Sequence, residues 1–270
     1  MSASKYEDAE QTLIASLDIL GVKQIMMNAS PKELRGIAKK ISAAFTDATT
    51  RLRKAVEVVS QKLPSEALKK ARRICDKMIR HTFSDTIVIS LALKDVDPAQ
   101  RKLAIKMFLF QSRVVAFEMF FAGYPIRGCV DYGEVYQEDN IVVGAPYVRS
   151  LITAECLQFS GVVLTEKAFE LCGAELSQNS VVNMIPSLCV PTKNGPIKMP
   201  CLNWIITGKK RGRGDVFING SDWRQVLYEK FAANGKSIDE SVWPKLVNTE
   251  NVIKAFINQI HNQKHDDSEN

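Results

Sequence analysis

Two aspartates stand where the residues around them argue against a charge. Asp18 lies at the end of an apolar run, Thr12 to Leu20 (TLIASLDIL), and Asp85 opens another, Thr86-Ile87-Val88-Ile89-Ser90-Leu91. A carboxylate near a core is costly without a partner, so it is protonated, paired with a cation or coordinated to a metal. If the two runs are antiparallel neighbours, the end of one strand lies beside the start of the other and the carboxylates converge. Gly21 follows Asp18 at the exit of its strand. Two acids beside such a strand-to-helix turn can hold magnesium against a polyphosphate whose oxygens meet backbone N–H groups. The plainer alternative makes one acid a helix N-cap and the other half of a salt bridge, and on spacing alone this is the commoner arrangement.

The elements that must position these acids are legible as patterns. Leu13, Ile14, Ala15, Leu17, Ile19 and Leu20 suit a central strand covered on both faces. Ser30-Pro31-Lys32-Glu33 combines an N-cap, a Pro at the first helical position and a capping-box Glu, and predicts a long helix to about Gln61. A second helix is expected from Ser65 to Arg80. Asp97-Pro98 opens a third, to Ala122, apolar nearly all round through Met107, Phe108, Leu109, Phe110, Val114, Phe117, Met119 and Phe120. Such a helix packs between layers or against a partner subunit. Ile126 to Tyr136 reads as a strand in which Gly128 and Gly133 allow close backbone approach. A turn at Glu138-Asp139-Asn140 leads to a short strand, Ile141 to Val143, and Gly144 opens a helix to about Gln158. Beyond it, strands are expected at 162–164, 181–190 and 202–206, and helices at 166–172, 222–234 and 250–261. The pattern predicts one α/β domain over 1–262, a helical insertion at 22–80 after the first strand, and a disordered polar tail at 263–270.

Composition narrows the function classes. A chain of 270 residues with 46% hydrophobic content can bury a sizeable core. Charged or polar residues break every apolar stretch, so no transmembrane helix and no membrane partner are expected. The polar, acidic start MSASKYEDAEQ is unlike a signal peptide, and a cytoplasmic location follows by default. Six cysteines without a CxxC pair and three histidines without ligand spacing read as buried reduced thiols and ordinary histidines. A formal charge of +6 suits an anionic ligand such as a nucleotide. The basic loop from Gly208 to Gly214 lacks interleaved aromatics, so no nucleic-acid partner is expected.

The order SLDILG, HTFSDTIVIS, YPIRGCVDYGEVY and VVGAPYVRS, spanning about Thr12 to Thr165, resembles the class III nucleotidyl cyclases. In that family the first strand carries Asp followed by Ile-x-Gly, a hairpin carries a KTxGD-like sequence, and an RxGIxxGxV strand leads to a Gly-initiated helix. Asp18 to Gly21, His81 to Asp85 and Arg127 to Val135 match these in turn. The wording looks most like the pyrimidine cyclases of bacterial anti-phage Pycsar systems. The resemblance implies an α/β sandwich with a mainly antiparallel sheet, and a homodimer with its sites at the subunit interface. It implies two Mg2+ or Mn2+ ions on Asp18, Asp85 and the carbonyl of Ile19, and phosphate contacts from the backbone of Leu20, Gly21 and Val22. The reaction implied is cyclisation of UTP or CTP, the product signalling to a separate effector protein.

The sequence departs from the family in two places. His81 stands where the purine enzymes carry Lys or Glu, and Ile141 where they carry Asp or Cys, so neither purine code is present. A site with His81 and the apolar Ile141 has lost the paired polar contacts that select a purine, and a smaller ring fits it better. The Asn and Arg expected in the helix after Gly144 are replaced by Val148 and Ile152. Arg149 is either a substitute cation or a solvated helix residue. The alternative reading is a degenerate cyclase-fold module that binds nucleotide without chemistry.

Overall fold

The first strand runs through the middle of the sheet, as its two-sided apolar pattern predicts. In the computed structural model, which describes residues 9–60, 65–94, 96–138, 141–176, 184–205, 215–220 and 222–266, β1 (Glu10–Ile19) is buried from Thr12 to Leu17. Three helices follow it: α1 (Val22–Asn28), α2 (Pro31–Ser60) and α3 (Ser65–Lys77). The capping box at the start of α2 forms as expected, with the Ser30 N–H donating to Glu33 Oε2 at 2.7 Å. Next come β2 (Ile79–Phe83), β3 (Thr86–Ala92), α4 (Arg101–Phe121), β4 (Ile126–Glu138), β5 (Ile141–Val143) and α5 (Ala145–Cys156). The chain continues through β6 (Gly161–Leu164), α6 (Glu166–Glu175), β7 (Met184–Val190), β8 (Ile197–Leu202), α7 (Asp215–Asn219), α8 (Trp223–Ala232) and α9 (Trp243–Asp266).

The strands form one sheet in the order β2-β3-β1-β4-β6-β8-β7, with β5 added to the end of β4. Its pairs are antiparallel except β4 with β6. Both neighbours of β1 are antiparallel to it; Asp18 lies opposite Thr86 on β3 and opposite Arg127 on β4. Alternation along β1 separates two faces. Leu13, Ala15, Leu17 and Ile19 join the main core with α4. Ser16 lies under α5, where its Oγ and that of Ser150 hydrogen-bond at 2.6 Å. Gly128 allows the close approach foreseen for it: a Cβ there would stand 2.4 Å from Leu17 Cδ2.

The apolar girth of α4 is explained within the chain. One side packs on the sheet and the other lies under α2 and α3. From α2, Arg51 lies 5.4 Å from the Phe117 ring centre and pairs with buried Glu118 at 2.5 Å. The twin subunit inferred from this helix is therefore not required by it. Several boundaries also differ from the pattern. The second helix stops at Lys77 because β2 takes Ile79 and Arg80 into the ladder beside Ser90 and Ile89. A strand was expected at 202–206, but it occupies Ile197–Leu202. The last helix starts at Trp243 and continues to Asp266, into the stretch expected to be a tail. The basic loop 208–214 lies outside the described residues. Of the cysteines, Cys189 is exposed, while Cys75, Cys129, Cys172 and Cys201 are buried thiols. Among the described residues no helix is long and apolar enough to cross a membrane.

Candidate functional site

The two acids come to the same end of neighbouring strands because β1 ends where β3 begins, close enough for the charge of Asp85 to act on Asp18. The Ile19 N–H donates to the carbonyl of Asp85 at 2.9 Å, which ties the turn before β3 to the end of β1. Asp18 is mostly buried, its side chain 15% exposed, and Arg127 Nε donates to its Oδ2 at 2.7 Å. Arg127 is held from its other end, since Nη1 donates to the carbonyls of Glu155 at 2.7 Å and Leu157 at 3.2 Å, capping the last turn of α5. The salt bridge of the plainer alternative is thus present at Asp18, and it leaves Oδ1 without a hydrogen bond among the described residues. Asp85 is half-buried and its carboxylate has no ion pair among the described residues.

Burial raises the Asp18 pKa above the usual carboxylate value. Arg127 opposes the rise, and the nearby charges of Asp85 and Glu155 add to it. A site holding two carboxylates and one guanidinium in low dielectric gains from a further cation, which would relieve the repulsion between the acids. The donor set available is oxygen only: Asp18 Oδ1, the Asp85 carboxylate and the Ile19 carbonyl. Such hard donors fit Mg2+ or Mn2+.

The turn after β1 places its amides unevenly. Leu20 N–H donates to the Pro125 carbonyl at 2.8 Å, so it is already engaged. Gly21 adopts a left-handed conformation, φ 76°, at the cap of α1. The Gly21 and Val22 amides have no partner among the described residues and remain for an anion.

The other residues singled out in the sequence lie elsewhere. His81 Nε2 and Gln137 Nε2 are 3.2 Å apart, Gln137 Oε1 accepts from Ser90 Oγ at 2.8 Å, and the His81 ring stacks on Phe83. Ile141 lies on β5 opposite Glu138, next to Gln137, and is 57% exposed. Arg149 donates from Nε to Asp131 Oδ2 at 2.8 Å. Asp131 is fully buried and also accepts from the Tyr132 N–H at 2.7 Å and Thr165 Oγ1 at 2.6 Å. Asp131 lies opposite Ile14, four positions along β1 from Asp18, or about 13 Å at strand rise. Arg149 is therefore apart from Asp18 and Asp85 of its own chain.

Sequence reasoning missed three groups. Arg127 was visible only as a motif letter, and its tie to Asp18 follows from the β1–β4 register. Asp131 gave the same signal as Asp18, a carboxylate in an apolar strand, two residues after Cys129. Lys245 on α9 gave none, yet it lies close enough to Arg127 and Asp18 for their charges to act on it.

No family model matches the chain. No curated protein matches it either. Among solved structures it is similar to the catalytic core of a rhodopsin-guanylyl cyclase with converted specificity in complex with ATPαS, with 12% identity over 73% of this chain and 97% of that one, TM-score 0.46. It is similar to the guanylate cyclase domain of RhGC from Catenaria anguillulae in complex with GTP, with 13% identity over 73% and 97%, TM-score 0.45. A bacterial light-regulated adenylyl cyclase aligns with 11% identity over 72% and 91%, TM-score 0.41. Likeness at this level carries no argument about activity.

Proposed function

We propose that the chain is a metal-dependent nucleotidyl cyclase, and the observation that carries this reading is the convergence of Asp18 and Asp85 beside the Gly21 turn. Asp18 Oδ1, Asp85 and the Ile19 carbonyl would hold the ions. Bound Mg2+ or Mn2+ would supply Lewis acidity at the 3′-hydroxyl and neutralise charge on the leaving pyrophosphate. Arg127 fixes the rotamer of Asp18 and favours its ionised form. The Gly21 and Val22 amides would donate to phosphate oxygens. The substrate is a pyrimidine triphosphate, UTP or CTP, because His81 and Ile141 replace the polar pair that reads a purine. The cyclic product would serve anti-phage defence through a separate effector protein, as the sequence resemblance implies.

The active form is a homodimer. Ile141, Val143, Val148 and Ile152 are 57, 59, 51 and 57% exposed, and they line one side of β5 and one side of α5. In that assembly Arg149 would serve the site of the other subunit. Incubating the protein with each of the four triphosphates and Mn2+ tests the reading; a cyclic pyrimidine product supports it, and tight nucleotide binding without product favours the second reading. That second reading, a nucleotide-binding module without turnover, is favoured by one observation: Val148 and Ile152 put apolar side chains where the family places its Asn and Arg, and Arg149 is committed to Asp131.

A further inference from the structure

The segment after α8, which no motif had singled out, closes over the Gly21 turn. Asn234 and Gly235 both take left-handed conformations, φ 61° and 78°, and the chain reverses there. Asn234 Nδ2 donates to the carbonyls of Ala122 at 3.0 Å and Gly123 at 3.2 Å, at the end of α4. Lys236 then runs across the turn after β1. A Cβ built on Gly21 would stand 3.4 Å from Lys236 Cδ, and Lys236 Nζ donates to the Gly123 carbonyl at 2.7 Å. Between this segment, the start of α2 and the Gly21 turn lies a cavity of about 600 Å3, within the range of small-molecule sites.

Three lysines line this cavity: Lys40 from α2, Lys236 from the segment and Lys245 from α9. The hydrogen bonds of Lys40 and Lys236 go to neutral oxygens, Asn234 Oδ1 at 2.8 Å for Lys40 and the Gly123 carbonyl for Lys236. None of the three has an ion pair among the described residues. Glu33 is the one acid of the lining, and its Oε2 is occupied by the N–H and hydroxyl of Ser30. Burial without a counter-charge is costly for an ammonium, and here it pushes Lys236 down to about 7. Lys245 is lowered by burial first and then by Arg127. A concave site with unmatched positive charge attracts a polyanion.

We propose that Lys40, Lys236 and Lys245 grip a polyphosphate chain in this cavity, the triphosphate of a nucleotide or the pyrophosphate released from it. The grip comes from one chain, with Lys40 on α2 and Lys236 and Lys245 in its C-terminal part, so it needs no second subunit. The identity of the anion as a nucleotide rests on the cyclase reading; the affinity of the cavity for an inorganic polyphosphate does not. Lysine suits this task as a point charge that phosphate oxygens can approach from several directions.

Calorimetry of the full chain with inorganic triphosphate, without metal, tests the assignment. Lys236→Met and Lys245→Met should each weaken binding at least about tenfold, the loss of one desolvated charge contact. Lys102→Met, on the exposed side of α4 away from the cavity, removes the same charge and should leave the affinity unchanged. The pH response gives a second readout. The titratable groups around Lys236 are Tyr124 beneath it, Glu33 and Lys40 on α2, Lys245 on α9, and Asp239 on its own segment, whose carboxylate is held by Ser241. Lys236 loses its proton as pH rises from 6 to 8.5, so wild-type binding should weaken although triphosphate itself becomes more negative. Lys236→Arg keeps its charge throughout this range and should bind as tightly at 8.5 as at 6. Wild-type protein that ignores millimolar triphosphate, or folded Met variants that bind like wild type, would overturn the assignment. Protein that binds triphosphate here but forms no cyclic product from any nucleotide would sink the cyclase reading and leave the grip standing.

Discussion

Asp18 carries two demands that pull in opposite directions. Its bridge to Arg127 stabilises the fold, while its burial beside Asp85 makes ionisation costly. Asp18→Ala and Asp85→Ala should both abolish cyclic product, since each strips an oxygen donor from the proposed ions. Their stabilities should differ. Asp18→Ala leaves Arg127, 14% exposed, without its counter-charge and should cost about 1–3 kcal/mol in urea denaturation. Asp85→Ala removes a half-buried carboxylate with no ion pair and should stay within about 0.5 kcal/mol of wild type. The same balance sets a pH dependence. Because the folded pKa of Asp18 is raised, the folded state takes up this proton before the unfolded chain does as pH falls. The cost of burying the charge is therefore present above the folded pKa and is relieved below it. Metal needs the ionised form, so Mn2+ affinity should fall on acidification already above the ordinary carboxylate range. Titrating Mn2+ by its spin-resonance signal across pH 4 to 7 checks this. Arg127→Met should push the loss of affinity to higher pH, because the guanidinium is what opposes the rise.

Among the elements, α5 is anchored to the sheet by charge as well as by packing. Arg149 reaches the buried Asp131, and Arg127 caps the other end of the helix from β4. Arg149→Met should therefore cost about 2–3 kcal/mol of stability, since it leaves a fully buried carboxylate with only the Tyr132 N–H and Thr165 hydroxyl. The double variant with Asp131→Asn should recover part of that loss in the same denaturation series; a purely catalytic Arg149 would lower turnover with no change in stability. This anchoring was hidden in the sequence because it depends on register. β1, β3 and β4 were legible as apolar runs, and the long start of α2 as a capping box. β8 was not, because Pro196 precedes it, Pro200 lies within it, and proline argues against a ladder strand. The break between α3 and β2 has no glycine or proline to mark it, and sheet pairing decides it against the helical pattern. Lys236 and Gly21 come together only through the fold, and no spacing in the chain predicts their contact.

At the scale of the whole molecule, the question is which apolar surface is left over once the chain has folded. The sequence pointed to α4, but α2 and α3 cover it. Of the large apolar side chains that stay exposed among the described residues, four lie on the opposite side of the sheet, at β5 and α5. Val148 and Ile152 are one helical turn apart and share a face of α5, and Ile141 and Val143 share a side of β5. Four half-exposed aliphatic side chains on two elements consecutive in the chain offer apolar area that water leaves at a gain of about 25 cal/mol per Å2, and a two-fold axis beside them would let two copies cover it. The same operation would bring Arg149 of each subunit toward the other's acids; within one chain it is held by Asp131, about 13 Å along β1 from Asp18 at strand rise. Ile152→Lys should then shift the protein toward monomer in light scattering. It should remove cyclic product while leaving the denaturation midpoint within about 0.5 kcal/mol of wild type, because an exposed position tolerates the charge. Inorganic triphosphate should still bind this variant with unchanged affinity, since Lys40, Lys236 and Lys245 belong to one chain. A monomeric variant with full turnover would place the whole site in a single subunit, and Arg149 outside it.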